Sequence, residues 1–223
     1  MSQALTQHVW WLASRASGVV ALGLVTISVV LGLTMAGKLS RRPGAGRVLS
    51  AIHEQTAMTG LVAIAIHGLT LLGDPWLNPG PAGIVIPFTM AYKTFWVGLG
   101  ITGGWLAALL GLSFYVRRRI GPRLWRRAHK ATILVYALGV AHTLGAGTDA
   151  SSPWLFWPVV ASIPVVAGLF VARVVHGIRK GRDRAKPAAE RRDTVEGRGR
   201  ELPADVEIPP RHRRREVEEP AVA

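Results

Sequence analysis

Four histidines in this chain form two pairs, and each pair is predicted to lie on one helix. His53 and His67 are fourteen residues apart, and His129 and His142 are thirteen apart. On an α-helix these separations correspond to axial rises of about 21 Å and about 19.5 Å. Because imidazole binds transition metals and exchanges protons near neutral pH, the two pairs predict metal-ligand or proton-transfer chemistry.

The segments that must position these histidines are long enough to cross a bilayer. A hydrocarbon core of roughly 30 Å requires about 20 predominantly apolar residues in a helix. The chain is 49% hydrophobic and contains five such segments, at Ala16–Gly37, Thr56–Gly73, Thr94–Val116, Ala131–Gly147 and Trp154–Val175. We therefore expect an all-α integral membrane bundle of about five transmembrane helices, surrounded by membrane lipid.

The distribution of positive charge predicts the orientation of these helices. The formal net charge is +14, and the basic residues cluster at 38–47, after the first segment, and at 117–130, between the third and fourth. The other two connections contain the acids Asp74 and Asp149. By the positive-inside rule, the N-terminus lies outside and the C-terminus inside. Insertion topology thus accounts for the arginines, and no nucleic-acid partner is expected.

In this orientation the histidines fall at two depths in the membrane. His53 and His129 lie at the inner level, and His67 and His142 lie at the outer level. Fourteen ideal helical steps leave the first pair within about 40° of one helix face, whereas thirteen steps separate the second pair by about 140°. Helix tilt, local winding near Gly139 or ligands that approach from different sides must absorb this difference.

The chain contains no cysteine, which excludes disulfides, iron–sulfur clusters and thiolate metal sites. Two imidazoles at each level suit haem iron with two axial histidines, held between helices of a bundle. A transporter or sensor that uses the histidines for a metal ion or protons is an alternative, although only Glu54 would supply a carboxylate. A third hypothesis keeps one haem, with the other pair near a quinone or flavin.

The histidine spacings resemble the di-haem signature of the ferric-reductase-like transmembrane family, over roughly residues 10–177. This family includes NADPH oxidases, ferric reductases and the membrane haem subunit of the bacterial methionine-sulfoxide reductase system. The resemblance implies that His53 and His129 ligate an inner haem b, and that His67 and His142 ligate an outer one. It implies an electron-transfer subunit of an oxidoreductase in a bacterial plasma membrane, with no catalytic residue of its own.

The oxidases and iron reductases of this family carry a flavin and nicotinamide domain after the last helix, and the present sequence departs from that pattern. It has no Gly-x-Gly-x-x-Gly motif on a strand–helix unit, and a charged segment follows the last apolar run. We therefore expect a separate electron donor, either a flavoprotein, a quinol or a membrane subunit, and an external electron acceptor. Flavin or quinone would then enter through the partner.

Other residues are expected to serve the haem groups or to lie outside the bundle. Arg15 and Lys93 near the outer level, and Arg173 near the inner level, are possible partners of haem propionates. Tyr136, midway in depth, is a possible inter-haem residue or a helix-packing residue. Residues 1–177 are expected to form the transmembrane haem domain. Residues 178–223 are expected to form a disordered, charged cytoplasmic tail.

The predicted orientation can be tested by labelling sites introduced into the connections. Sites within Lys38–Arg47 and Arg117–Arg127 should be protected from a membrane-impermeant reagent added outside. Sites within Asp74–Pro87 and Asp149–Ser152 should react. The reverse pattern would exchange the inner and outer levels.

Overall fold

The computed structural model of the protein describes residues 3–37 and 44–200, with side chains described for residues 8–37 and 44–182. All regular secondary structure in these ranges is helical. The α-helices are α1 (Gln3–Ala36), α2 (Ala45–Thr70), α3 (Gly80–Val85), α4 (Thr94–Ile120), α5 (Pro122–Ala128), α6 (Thr132–Ala146) and α7 (Pro153–Arg200). Short 3-10 turns at Leu71–Gly73 and His129–Ala131 follow α2 and precede α6.

Four segments within the described ranges are long and apolar enough to cross a membrane. They are His8–Ala36, Ala45–Gly73, Thr94–Ile120 and Pro153–Arg182. The prediction of an all-α membrane bundle is therefore confirmed. The remaining predicted span, Ala131–Gly147, corresponds to α6, which has 15 residues. Such a helix rises about 22 Å, less than a hydrocarbon core of roughly 30 Å.

The bundle is built from two helix pairs and a fifth helix. Helix α1 packs along α2, and α4 packs along α6. The main cluster of buried apolar residues joins α1, α6 and α7, and it consists of Val29, Leu33, Tyr136, Val140, Leu155, Val159 and Val166. Large apolar side chains on the outer faces, such as Leu109 and Leu69, are 68% and 59% exposed. Exposed apolar surface of this extent is typical of helices that contact lipid.

The chain divides into two compact units, Met1–His176 and Gly177–Ala223. Helix α7 continues into the second unit as far as Arg200. It therefore extends into the segment for which the sequence predicted disorder, because alanine, arginine, lysine and glutamate favour helix without an apolar face. The rest of the predicted tail, residues 201–223, lies outside the described residues.

An ion pair links α1, between three and four turns from its N-terminal end, to the loop between α6 and α7. The Arg15 guanidinium donates from Nε and Nη2 to the two carboxylate oxygens of Asp149. Asp149 is only 8% exposed, and Arg15 also lies over the Trp11 ring at 4.8 Å. The loop after α6 therefore lies level with Arg15 of α1, although α6 is short. The guanidinium that the sequence offered to a propionate is already neutralised by Asp149.

Replacing Arg15 by Ala should destabilise the protein, because it leaves the buried Asp149 carboxylate without its donor. We expect a loss of about 1–3 kcal/mol in the free energy of unfolding. Thermal unfolding in detergent measures the change. Arg119→Ala, at the exposed end of α4, is the control and should change stability by less than about 0.5 kcal/mol. The Arg15→Ala, Asp149→Ala double variant should lose less than the sum of the two single variants, and full additivity would contradict the pairing.

Candidate functional site

The structure brings together the histidines that the sequence paired by depth. The ring centroids of His53 and His129 lie 6.1 Å apart, with an angle of 90° between the ring planes. Those of His67 and His142 also lie 6.1 Å apart, with an angle of 72°. Helices α2 and α6, together with the 3-10 turn before α6, therefore present two facing imidazoles at each of two levels.

The change in winding at His129 explains how His129 and His142, although thirteen residues apart, can both lie next to the histidines of α2. His129 opens a 3-10 turn, His129–Ala131, that separates α5 from α6. Three steps at about 120° instead of about 100° reduce the angle between His129 and His142 from about 140° to about 80°. The sequence left helix tilt, winding near Gly139 and different directions of approach open, and the structure has a change of winding at His129 itself.

Three of the four imidazoles are oriented by hydrogen bonds to backbone carbonyls. Nδ1 of His67 lies 2.7 Å from the carbonyl oxygen of Ser14, and Nδ1 of His53 lies 2.9 Å from that of Ser28. Nδ1 of His142 lies 3.0 Å from the carbonyl oxygen of Trp96. Since a carbonyl can only accept, each Nδ1 carries a proton, and in a neutral imidazole of this tautomer Nε2 keeps its lone pair. This is the usual arrangement of histidines that bind a metal through Nε2.

Serine hydroxyl groups add a second contact at two of these sites. Ser14 Oγ lies 3.2 Å from Nδ1 of His67, and Ser28 Oγ lies 3.1 Å from Nδ1 of His53. Both serines are buried, at 4% and 7% exposure. Buried polar groups are retained where they are hydrogen-bonded, so these serines belong to the histidine sites.

A glycine one helical turn after each acceptor lets the imidazole reach the carbonyl. The carbonyl of residue i points toward residue i+4, where a side chain would cover it. The acceptors at positions 14, 28 and 96 are followed at that spacing by Gly18, Gly32 and Gly100. A methyl group at Gly18 or Gly100 would lie 2.9 Å or 2.5 Å from Nδ1 of the bound histidine. At Gly32 it would lie 3.3 Å from Cε1 of His53.

The residues of α1 that support the histidines were missed by reasoning on the sequence, although the sequence contains a signal for them. Ser14 and Gly18 repeat as Ser28 and Gly32, fourteen residues later. This interval equals the separation of His53 and His67 on α2. Two helices that pack in opposite directions bring equal intervals into register, so the repeat marks the contact face.

His129 differs from the other three histidines. Its Nδ1 is buried and has no hydrogen-bond partner among the described residues. Its ring instead stacks on Trp125, with centroids 4.9 Å apart and an angle of 23° between the planes. His129 precedes α6 and lies outside the four long spans. Burial, followed by the charges of His53 and Arg173, lowers the pKa of His129. The imidazole is therefore kept in the neutral form that binds metals.

A cavity of about 760 Å³ surrounds the inner pair, and both His53 and His129 line it. Its apolar walls come from α1, α2, α4, α6 and α7. Five basic side chains also line it, Arg123, Arg126, Arg127, Lys130 and Arg173, together with a single acid, Glu54. The cavity can therefore accept a large apolar molecule that carries negative charge at one edge.

The other residues singled out by the sequence have structural contacts. Lys93 is exposed before α4 and its ammonium lies 5.6 Å from the centre of the Tyr92 ring. Tyr136 is 5% exposed in the α1, α6 and α7 core, and its hydroxyl lies 2.6 Å from Ser162 Oγ. It packs against α7, as the helix-packing alternative predicted.

Each pair of imidazoles has the spacing required by one metal ion bound on both sides. With metal–nitrogen bonds of about 2 Å and an imidazole radius of about 1 Å, two axial imidazoles place their centroids about 6 Å apart. Among the described residues, no three His, Cys, Asp or Glu side chains converge as a group that could hold a metal ion.

Comparison of the chain with protein-family models, curated proteins and solved structures finds no match.

Gly100→Ala should destabilise the protein, because the added methyl group would press on Nδ1 of His142. Overpacking costs about 1–3 kcal/mol, which exceeds the gain of about 0.5–1 kcal/mol that alanine brings to a helix. Gly23→Ala is the matched control, since nothing lies within 4 Å of the added methyl group. Thermal unfolding in detergent should show Gly100→Ala below the wild type and Gly23→Ala at or above it. Equal stability of the two variants would contradict the close contact.

Proposed function

We propose that this protein binds two haem b groups and transfers electrons across a bacterial plasma membrane, as an electron-transfer subunit related to the ferric-reductase-like family. His53 and His129 would be the axial ligands at the inner level. His67 and His142 would be the axial ligands at the outer level. The observation that carries the proposal is the pair of facing imidazoles, with centroids 6.1 Å apart, at both levels.

The number of protein ligands at each level favours haem over a bare metal ion. A structural zinc site takes four protein ligands and a catalytic one usually three, whereas haem iron already has four porphyrin nitrogens and needs two axial ligands. Both outer histidines and His53 of the inner pair donate from Nδ1 to a carbonyl, which would leave Nε2 to bind the iron. Bound haem would supply a one-electron iron couple at each level.

The inner cavity matches the size and charge of the proposed cofactor. A volume of about 760 Å³ lies within the range of cofactor sites, and its walls are largely apolar. Carboxylates at the edge of a bound haem would need cationic partners in such surroundings. Arg173, Lys130 and the α5 arginines line the cavity and would provide them. Lys93 remains an outer-level candidate, whereas Arg15 already pairs with Asp149.

The separation of the two levels supports transfer across the membrane. Fourteen residues of α2 separate His53 from His67, a rise of about 21 Å in a hydrocarbon core of roughly 30 Å. One level would therefore receive electrons near the inner surface and the other would release them near the outer surface. The donor would be a flavoprotein, a quinol or a membrane subunit, and the acceptor would lie outside.

Haem content in single and double histidine variants tests the proposal. Pyridine haemochrome should give about two haems per wild-type chain and about one for His53→Ala, His129→Ala, His67→Ala or His142→Ala, because each variant loses one axial ligand. His53→Ala with His129→Ala should match either single variant, since both act at one site. His53→Ala with His67→Ala should contain none. His176→Ala, at an exposed position of α7, is the control and should retain two.

Two results would contradict the di-haem assignment in different ways. A wild-type ratio near one would leave a mono-haem protein, with quinone or flavin near the other pair. Absence of haem from a well-folded protein made with ample haem would end the electron-transfer proposal and favour a transporter or sensor of metal ions or protons.

A further inference from the structure

The four histidines follow one rule with a single exception. An imidazole on α2 or α6 donates to a helix carbonyl, and glycine occupies the position one turn later. His129 has no such acceptor within the described residues. The exception occurs at the inner level, where basic residues, including those of α5, line the cavity.

The sequence of α4 explains why His129 lacks this acceptor. His142 bonds the carbonyl of Trp96, and His129 lies thirteen residues before His142. The same interval along the oppositely directed α4 leads from Trp96 to Leu109, which should offer the equivalent carbonyl. The residue one turn after Leu109 is Ser113 rather than glycine. A side chain therefore stands where an imidazole would have to approach.

Ser113 instead holds the indole that stacks on His129. Trp125 Nε1 donates to Ser113 Oγ at 3.1 Å, and this hydroxyl donates in turn to the Leu110 carbonyl at 2.6 Å. The Trp125 ring also contacts Phe114, with centroids 6.1 Å apart. The indole is thus fixed from α4 on one side and lies nearly parallel to the imidazole on the other.

We infer that Trp125 is the positioning residue of His129. Stacking on this indole restrains the imidazole of His129, as a hydrogen bond to a carbonyl restrains each of the other three imidazoles. What this inference implies for haem binding rests on the proposed function. Stacking restrains the plane of a ring but leaves it free to rotate within that plane, whereas a hydrogen bond to Nδ1 restrains the direction of Nε2 as well. A haem held by His129 would therefore depend on the indole of Trp125 to keep this imidazole in place.

Carbon monoxide binding to the reduced full-length protein tests this role, because the gas binds iron only where an axial position is open. Wild type, with both haems held by two histidines, should bind little. Trp125→Leu should keep its haem but bind carbon monoxide at about half of it, since only the inner site is affected. Added imidazole should suppress this binding by replacing the missing ligand. Trp125→Phe, which keeps an aromatic face, should stay close to wild type.

Two further variants keep the test decisive. Trp157→Leu removes a tryptophan that is 64% exposed on α7, and it should behave as wild type. Ser113→Ala removes only the hydroxyl that anchors the indole, so it can replace Trp125→Leu in the test if that variant does not fold. It should raise the carbon monoxide-bound fraction several-fold above that of Trp157→Leu.

The outcomes separate this inference from the proposed function. A di-haem wild type with unchanged carbon monoxide binding in Trp125→Leu and Ser113→Ala would overturn the role of Trp125 alone. Binding that imidazole fails to suppress would show general damage to the site and would also overturn it. A wild type without haem would overturn both statements.

Discussion

The arrangement of the helices depends on one constraint: an imidazole buried away from water requires a hydrogen-bond partner within the protein. An unpaired polar group in apolar surroundings costs several kcal/mol, about as much as a helix pair gains from good packing. In a helical bundle the nearest acceptors are backbone carbonyls, which already accept bonds within their own helix. A second donor can reach them only where the following turn lacks a side chain. The serine and glycine positions of α1 follow from this requirement.

This requirement also determines which helices must be neighbours. The fourteen-residue intervals on α1 and α2 make those two helices a matched pair, since a shift of one turn would leave both histidines without acceptors. On the other side, α4 supplies the acceptor for His142 through Trp96, and Gly103 of α4 packs against Leu138 of α6. The histidine that breaks the rule, His129, is the one that follows a break in the helix. Its ring is supported by an aromatic face instead of a carbonyl.

Positive charge at the inner level has two consequences at once. The arginines of α5 are the basis of the orientation expected from the positive-inside rule, and they also line the cavity around His53 and His129. A cluster of cations beside an apolar cavity attracts anionic groups. The outer level is different, because Arg15 is paired with Asp149 in a closed contact. The two histidine pairs therefore share their ring spacing but differ in the charges around them.

The sequence alone was sufficient to predict a helical membrane protein and to pair His53 with His129 and His67 with His142, whose rings lie close together in the structure. Hydrophobic length, charge asymmetry and helical rise depend only on local composition and counting. Tertiary structure decided what depends on neighbouring helices. The turn at His129, the carbonyl acceptors at Ser14, Ser28 and Trp96, and the stacking of Trp125 all arise from contacts between segments far apart in the chain. Gly60 of α2 likewise lies against Leu24 and Val25 of α1, a contact that only the packed helix pair defines.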